Sequence, residues 1–149
     1  KGRIIGSQIF ADPNAIGKYG QEANGLIFVA GFWWDKNEKT RAFTKKFAAE
    51  NAKRGLTDKK IPHHTDAQGY DIVYLLKQAM EKAGVTGEKS KLKAERTAIR
   101  DALKGIRFSG ITGNNVCFDK INDAQLPGYI IEINNSKWTK IDEWAPDKC

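Results

Sequence analysis

Few residues of this chain have the types and spacing that chemistry requires. His63 and His64 are adjacent, but consecutive side chains diverge and no further Cys, His or Asp completes a ligand set at the usual spacing, so no metal is expected. Cys117 with either histidine would give a small hydrolase its nucleophile and base. That thiol, however, stands in NNVCFDK, which reads as a strand, where a cysteine is buried and inert. AGVTGEKS, residues 83–90, fails the GxxxxGK[ST] spacing and follows no buried strand, so it is a helix stop and loop rather than a phosphate cradle. The pair Trp33-Trp34 is different. It closes the apolar run GLIFVAGFWW, and paired indoles at the C-terminal end of a buried strand stand where open α/β sheets hold their ligands. Two readings are open: the rings cap the core and cover a helix, or at least one lines an apolar or aromatic cleft. Nothing in the set calls for a cofactor.

The elements that position these residues are those of one ordinary domain of 149 residues, 40% apolar, enough for a sizeable core. The longest apolar runs fall far short of the roughly 20 residues that cross a bilayer. A net charge of +7 invites a nucleic-acid reading. The Lys and Arg residues, however, are interleaved with Asp and Glu as on solvated helix faces, and no nucleic-acid partner is expected. Two cysteines, Cys117 and Cys149, are too few for a disulfide scaffold. One bridge between them in an oxidising compartment and two inert thiols are both open. The chain opens on Lys1 with neither a start methionine nor a signal peptide in view, as a mature or truncated product would.

Patterning predicts a strand over 3–10 that breaks at Gly6, then a short helix from the Asp12-Pro13 pair to Gly20. It predicts a strand over 25–34 covered on both faces, as in a parallel sheet. Helices are predicted over 39–54, 67–84 and 92–104, each stopped by glycine. Short strands follow over 114–120, 126–133 and 137–141, the last two joined by a tight turn at Asn134 to Lys137. The result is α/β, but unfinished. Ala67, Tyr70, Ile72, Val73, Leu75, Leu76, Ala79, Met80 and Ala83 cover well over half the circumference of the helix at 67–84, which predicts burial on more than one face. Two parallel-type strands cannot supply that cover, so polypeptide on the N-terminal side is expected.

Three stretches together carry a resemblance: GQEANGLIFVA at 20–30, AQGYDIVYLLKQAMEKAG at 67–84, and GITGNNVCFDKINDAQLPGYIIEINNSKW at 110–138. From Gly6 onward the chain resembles the C-terminal portion of the type I periplasmic solute-binding proteins of ABC transporters, the group that includes the branched-chain amino-acid-binding proteins. In the last stretch Gly113, Phe118, Asp119 and Asp123 fall on the family's closing pattern. It departs at Asn115, which is extra or marks a wider turn, at Ala124, and at Asn135-Ser136, which replaces a glycine turn.

The resemblance implies a fold of two Rossmann-like lobes, with open parallel sheets flanked by helices, joined by crossing strands and closing on a ligand. Residues 1–22 would end the lobe 2 sheet, 23–110 would form part of lobe 1, and 111–149 would cross back as strand and C-terminal hairpin. An absent N-terminal half would supply the rest and cover the helix at 67–84. It also implies a non-enzymatic receptor in the periplasm, or lipid-anchored in a Gram-positive host, that delivers its ligand to an ABC permease. A sensing module of the same fold, in a receptor or cytoplasmic regulator, is the alternative. Ligand contacts would come from Gln8, Trp33, Trp34, His64 and Thr65. Gln8 stands where amino-acid-binding members place an acid against the ligand's ammonium, and Thr65, with His64 beside it, stands on the side-chain pocket. A neutral amide cannot offset a buried ammonium, so these residues favour an aromatic acid or an amide over an aliphatic amino acid.

Overall fold

The computed structural model describes residues 4–14 and 16–146, leaving aside the side chains of Ile9 and Ile16. The chain forms two compact units, one of Lys1–Ala67 with Pro127–Ala145, the other of Gln68–Leu126 with Pro146–Cys149.

The first unit contains β1 (Ile4–Ile5), α1 (Ile16–Tyr19), β2 (Leu26–Ala30), α2 (Glu38–Lys53), β3 (Gly128–Asn134) and β4 (Lys137–Trp144). The strands form one sheet in the order β1-β2-β3-β4. β1 and β2 are parallel, whereas β2–β3 and β3–β4 are antiparallel. The run at 25–34 is thus not a wholly parallel strand buried on both faces. Phe28 and Ala30 point into the core with Tyr129, Ile131 and Ile133, while Val29 between them is 50% exposed. Strand alternation places successive side chains on opposite faces, and only one face here is fully covered. The predicted tight turn is present: Asn135 and Ser136 have φ of 51° and 57°, the two-residue geometry that matches strand twist. β1 begins inside the predicted strand, whose first residue, Arg3, lies outside the described residues.

α2 begins with a capping box in which Asn37 accepts from the Thr40 backbone N–H and Thr40 returns the bond, satisfying two otherwise orphaned donors. It stops at Gly55, as predicted, where φ is +79°.

In the second unit α3 (His64–Ala83), whose first turn belongs to the first unit, continues to pack on α4 (Leu92–Lys104). Ala79, Ala102 and Ile106 form its core, with Leu75, Ile99, Leu103 and Phe118 against them. α3 is not buried on more than one face. Its covered stripe, Ala67, Asp71, Leu75 and Ala79, recurs every four residues, whereas Ile72, Val73, Tyr74, Leu76 and Met80 are exposed, Val73 at 65%. The reason is a lack of cover within the described residues, not polarity.

Residues 114–120 do not form a strand. Only isolated bridges join Phe108 to Val116 and Phe118 to Ala124, because Asn115 takes a left-handed φ of 55° and Asp119 collects the N–H groups of Ile121 and Asp123 at 2.9 Å each. A side chain that claims local backbone donors competes with ladder formation.

β1 pairs with β2, and the β3–β4 hairpin closes the same sheet. Among the described residues no helix is long and apolar enough to cross a membrane.

Candidate functional site

Because β1 and β2 run parallel, the chain leaves both at the same end of the sheet. β1 leads through Gly6 into a short 3-10 turn, Gln8–Phe10. A Cβ at Gly6 would press on the Phe10 ring at 2.8 Å and on Leu26 at 3.3 Å, so glycine permits the close turn that presents an exposed Gln8. β2 leads into Phe32, which is buried edge-on against Phe43 of α2 with ring centroids 6.0 Å apart.

Trp33 and Trp34 follow, their rings 4.3 Å apart. Trp34 folds back to Trp138 of β4 at 5.1 Å, and Trp138 meets Phe28 edge-on at 5.0 Å. The two indoles are therefore anchored to the core through an aromatic ladder, and each stays half-buried. Lys36 closes the loop: its N–H donates to the Trp33 carbonyl at 3.3 Å and its Nζ to the Tyr129 hydroxyl at 3.1 Å, 3.6 Å from Glu143.

The third segment runs from Lys60 to Asp66. Asn14, in the loop after β1, accepts at Oδ1 from the N–H groups of Lys60 and Ile61, both at 3.1 Å, and donates from Nδ2 to the Ile61 carbonyl at 2.8 Å. Pro62 is fully buried. Asp66 accepts from the His63 N–H at 2.9 Å, and the His63 ring shares a 2.8 Å hydrogen bond with the Thr65 hydroxyl. The imidazoles of His63 and His64 do not diverge as adjacency suggested. Their centroids lie 3.9 Å apart, because His63 precedes α3 and is not held to helical geometry. Among the described residues no group of His, Cys, Asp and Glu could hold a metal.

His64 Nδ1 is buried with no hydrogen-bond partner among the described residues. Burial, then the neighbouring His63, lowers its pKa from the ordinary 6.5 to about 4, against a small opposing pull from Asp66. The unfolded chain then binds a proton that the folded chain refuses. Its contribution to stability is complete above about pH 6.5 and is lost as pH falls towards about 4. Thermal midpoints measured from pH 7 to pH 4.5 should fall, and His64→Gln should flatten part of that slope; an unchanged slope would refute the assignment. Beside this segment lies a polar cavity of about 310 Å³ walled by Asp12, Asn14, Phe47, Asp58, His63 and Asp66, among others.

The second unit holds a different arrangement. The Asp71 carboxylate, 6% exposed, accepts from the Ile111 N–H at 3.0 Å, the Thr112 N–H at 2.8 Å and the Thr112 hydroxyl at 2.6 Å. A Cβ at Gly110 would overlap that carboxylate, so glycine is the residue that lets the turn close on it. An apolar cleft of about 270 Å³, with walls that include Ile72, Leu75, Phe108, Phe118 and Leu126, lies alongside. Cys117 is 2% exposed and carries no free thiol, which removes the nucleophile of the hydrolase reading; Cys149 lies outside the described residues.

Of the five residues expected to touch ligand, Trp33 and Trp34 are in contact, and His64 and Thr65 are joined through His63. Among the described residues Gln8 shares no hydrogen bond or ring contact with either pair. Asn14 and Asp71 escaped sequence reasoning, and His63 was weighed only as a metal ligand or a base. Asp71 had a signal, its four-residue register with Ala67, Leu75 and Ala79. Asn14 had none, because the segment that its side chain holds lies 46 and 47 residues away.

No curated protein matches the chain. Solved structures do. A leucine-binding protein from Thermotoga maritima is 22% identical, with 99% of this chain and 38% of that one covered and a TM-score of 0.71. A solute-binding protein of an ABC transporter from R. palustris, solved with benzoate, is 21% identical over 97% of this chain and 36% of its own, with a TM-score of 0.73. A branched-chain amino-acid transporter substrate-binding protein from Streptococcus pneumoniae, solved with isoleucine, is 23% identical over 98% and 38%, with a TM-score of 0.68. The chain thus spans less than two fifths of the length of these structures, and its fold is that of a part of them. The family profile described as periplasmic binding protein matches residues 2–137, and this chain belongs to the periplasmic binding protein family.

Proposed function

We propose that this chain is part of a longer extracytoplasmic receptor, its C-terminal portion, that captures a small organic ligand between two lobes and delivers it to an ABC permease. The observation that carries the reading is the parallel pairing of β1 and β2, which sends the Gln8 loop and the Trp33-Trp34 loop from one sheet end, in a chain of this family. The exposed apolar face of α3 is covered by the remaining polypeptide, which includes the N-terminal half. Ligand contacts come from Gln8, Trp33, Trp34, His64 and Thr65. Closure is a population shift between open and closed forms and needs no bond chemistry, so binding without turnover is expected, in the periplasm or on an anchored extracytoplasmic protein.

The ligand class follows from charge. Gln8 is neutral and the loop ends in half-buried indoles, a setting that suits an aromatic or other small organic acid better than a buried ammonium. The test is a tryptophan-fluorescence titration of the full-length protein with benzoate, 4-hydroxybenzoate, leucine and isoleucine. A saturable response to an aromatic acid, with the ligand recovered unchanged, is the expected result. Response to the aliphatic amino acids alone would reject the ligand class, and no response, or conversion of ligand to product, would reject the receptor.

A further inference from the structure

We propose that Asn14 is a positioning residue of this ligand site: its single amide fixes the segment carrying His64 and Thr65 against the loop that carries Gln8. The inference rests on the receptor reading above. Asp12 Oδ1 accepts from both the N–H and the Nδ2 of Asn14, at 2.9 and 3.2 Å, which sets the amide's orientation before any distant partner arrives. That amide then does for Lys60 and Ile61 what a neighbouring strand would do, accepting two N–H groups and donating to one carbonyl. Few side chains present a donor and an acceptor side by side on a short stem. Aspartate would keep the two acceptor bonds and turn a negative oxygen towards the Ile61 carbonyl, and alanine would keep nothing.

From Ile61 the constraint passes directly to the site. Pro62 is fully buried, Asp66 holds the His63 N–H, and the His63 ring holds the Thr65 hydroxyl. Only two residues separate Ile61 from His64. A contact group held in place before binding costs less ordering when the ligand arrives, which gives the amide a role in affinity beyond its role in folding.

The test uses the full-length protein and whichever of benzoate, 4-hydroxybenzoate, leucine or isoleucine it binds. Asn14→Ala should weaken binding by about 10- to 100-fold, as a misplaced contact shoulder does, and Asn14→Asp by less. A residue that only stabilises the fold would lower the unfolding midpoint and leave the Kd of the folded protein unchanged, so the deciding readout is a double-variant cycle. Asn14→Ala combined with His64→Ala should bind no more weakly than the poorer single variant, whereas combined with Trp33→Ala the losses should multiply. Parent-like affinity in both Asn14 variants, or multiplying losses with His64→Ala, would overturn the inference and leave the receptor reading intact. Failure of the parent to bind any of the four would overturn the receptor reading and this inference with it. Should Asn14→Ala not fold, Asn14→Asp, which retains both acceptor bonds, is carried through the same cycle with the same outcomes.

Discussion

Asp71→Ala should lower the stability of the full-length protein by about 3–5 kcal/mol, because it strands two backbone N–H groups and a hydroxyl away from water, at roughly 1–3 kcal/mol each before relaxation. The bonds lost are those from Ile111 and Thr112, all between 2.6 and 3.0 Å. Asp71→Asn should cost less, since one oxygen remains an acceptor while the new amide confronts a donor. Gly110→Ala should resemble Asp71→Ala although it removes nothing, for the added methyl takes the space of the carboxylate. Asp101 provides the control. It is exposed and, among the described residues, paired with Arg100 and Lys104 at the surface, so Asp101→Ala should stay within about 0.5 kcal/mol. Urea midpoints of the four variants decide the matter. An Asp71→Ala midpoint equal to that of Asp101→Ala would mean that the turn at 110–113 does not depend on this carboxylate.

The second large effect should appear on the opposite face of α3. Val73 and Leu76 are exposed in this chain, yet they stand in an apolar patch with Ile72 and Met80 that a free-standing surface would not keep. Val73→Asp or Leu76→Asp should therefore cost at least about 3 kcal/mol in the full-length protein, where the change buries an unpaired charge. In the 149-residue chain alone the same changes should alter stability by less than about 1 kcal/mol and reduce self-association. Thermal midpoints and light scattering on both forms test this. Equal, small effects in both would show that nothing covers the face.

These two predictions also mark where the sequence was informative and where it was not. The glycine-stopped helices and the Asn135-Ser136 turn were legible because their causes are local: a helical repeat, a left-handed stop at Gly55 and Gly84, two residues that tolerate positive φ. The expected burial of α3 followed from apolar content, but content says what a face needs and not whether the cover is present. β2 misled for a related reason. A continuous apolar run marks a strand, yet its parallel or antiparallel pairing is decided by where the β3–β4 hairpin returns from residues a hundred positions later. The run at 114–120 failed as a strand because Asp119 and Asn115 settle the backbone locally, against an alternating pattern. In the candidate site, the tryptophans and the His64-Thr65 pair were visible by type, whereas the amide of Asn14 that holds one of these segments spans 47 residues and leaves no local trace.

The most direct measurement is hydrogen exchange of the full-length protein with and without a bound aromatic acid. Binding should slow exchange in three separate segments, 6–14, 31–37 and 60–66, and leave the α3–α4 connection at 84–91 unchanged. Protection confined to residues 68–126, or none at saturating ligand, would contradict a ligand face built on the parallel ends of β1 and β2.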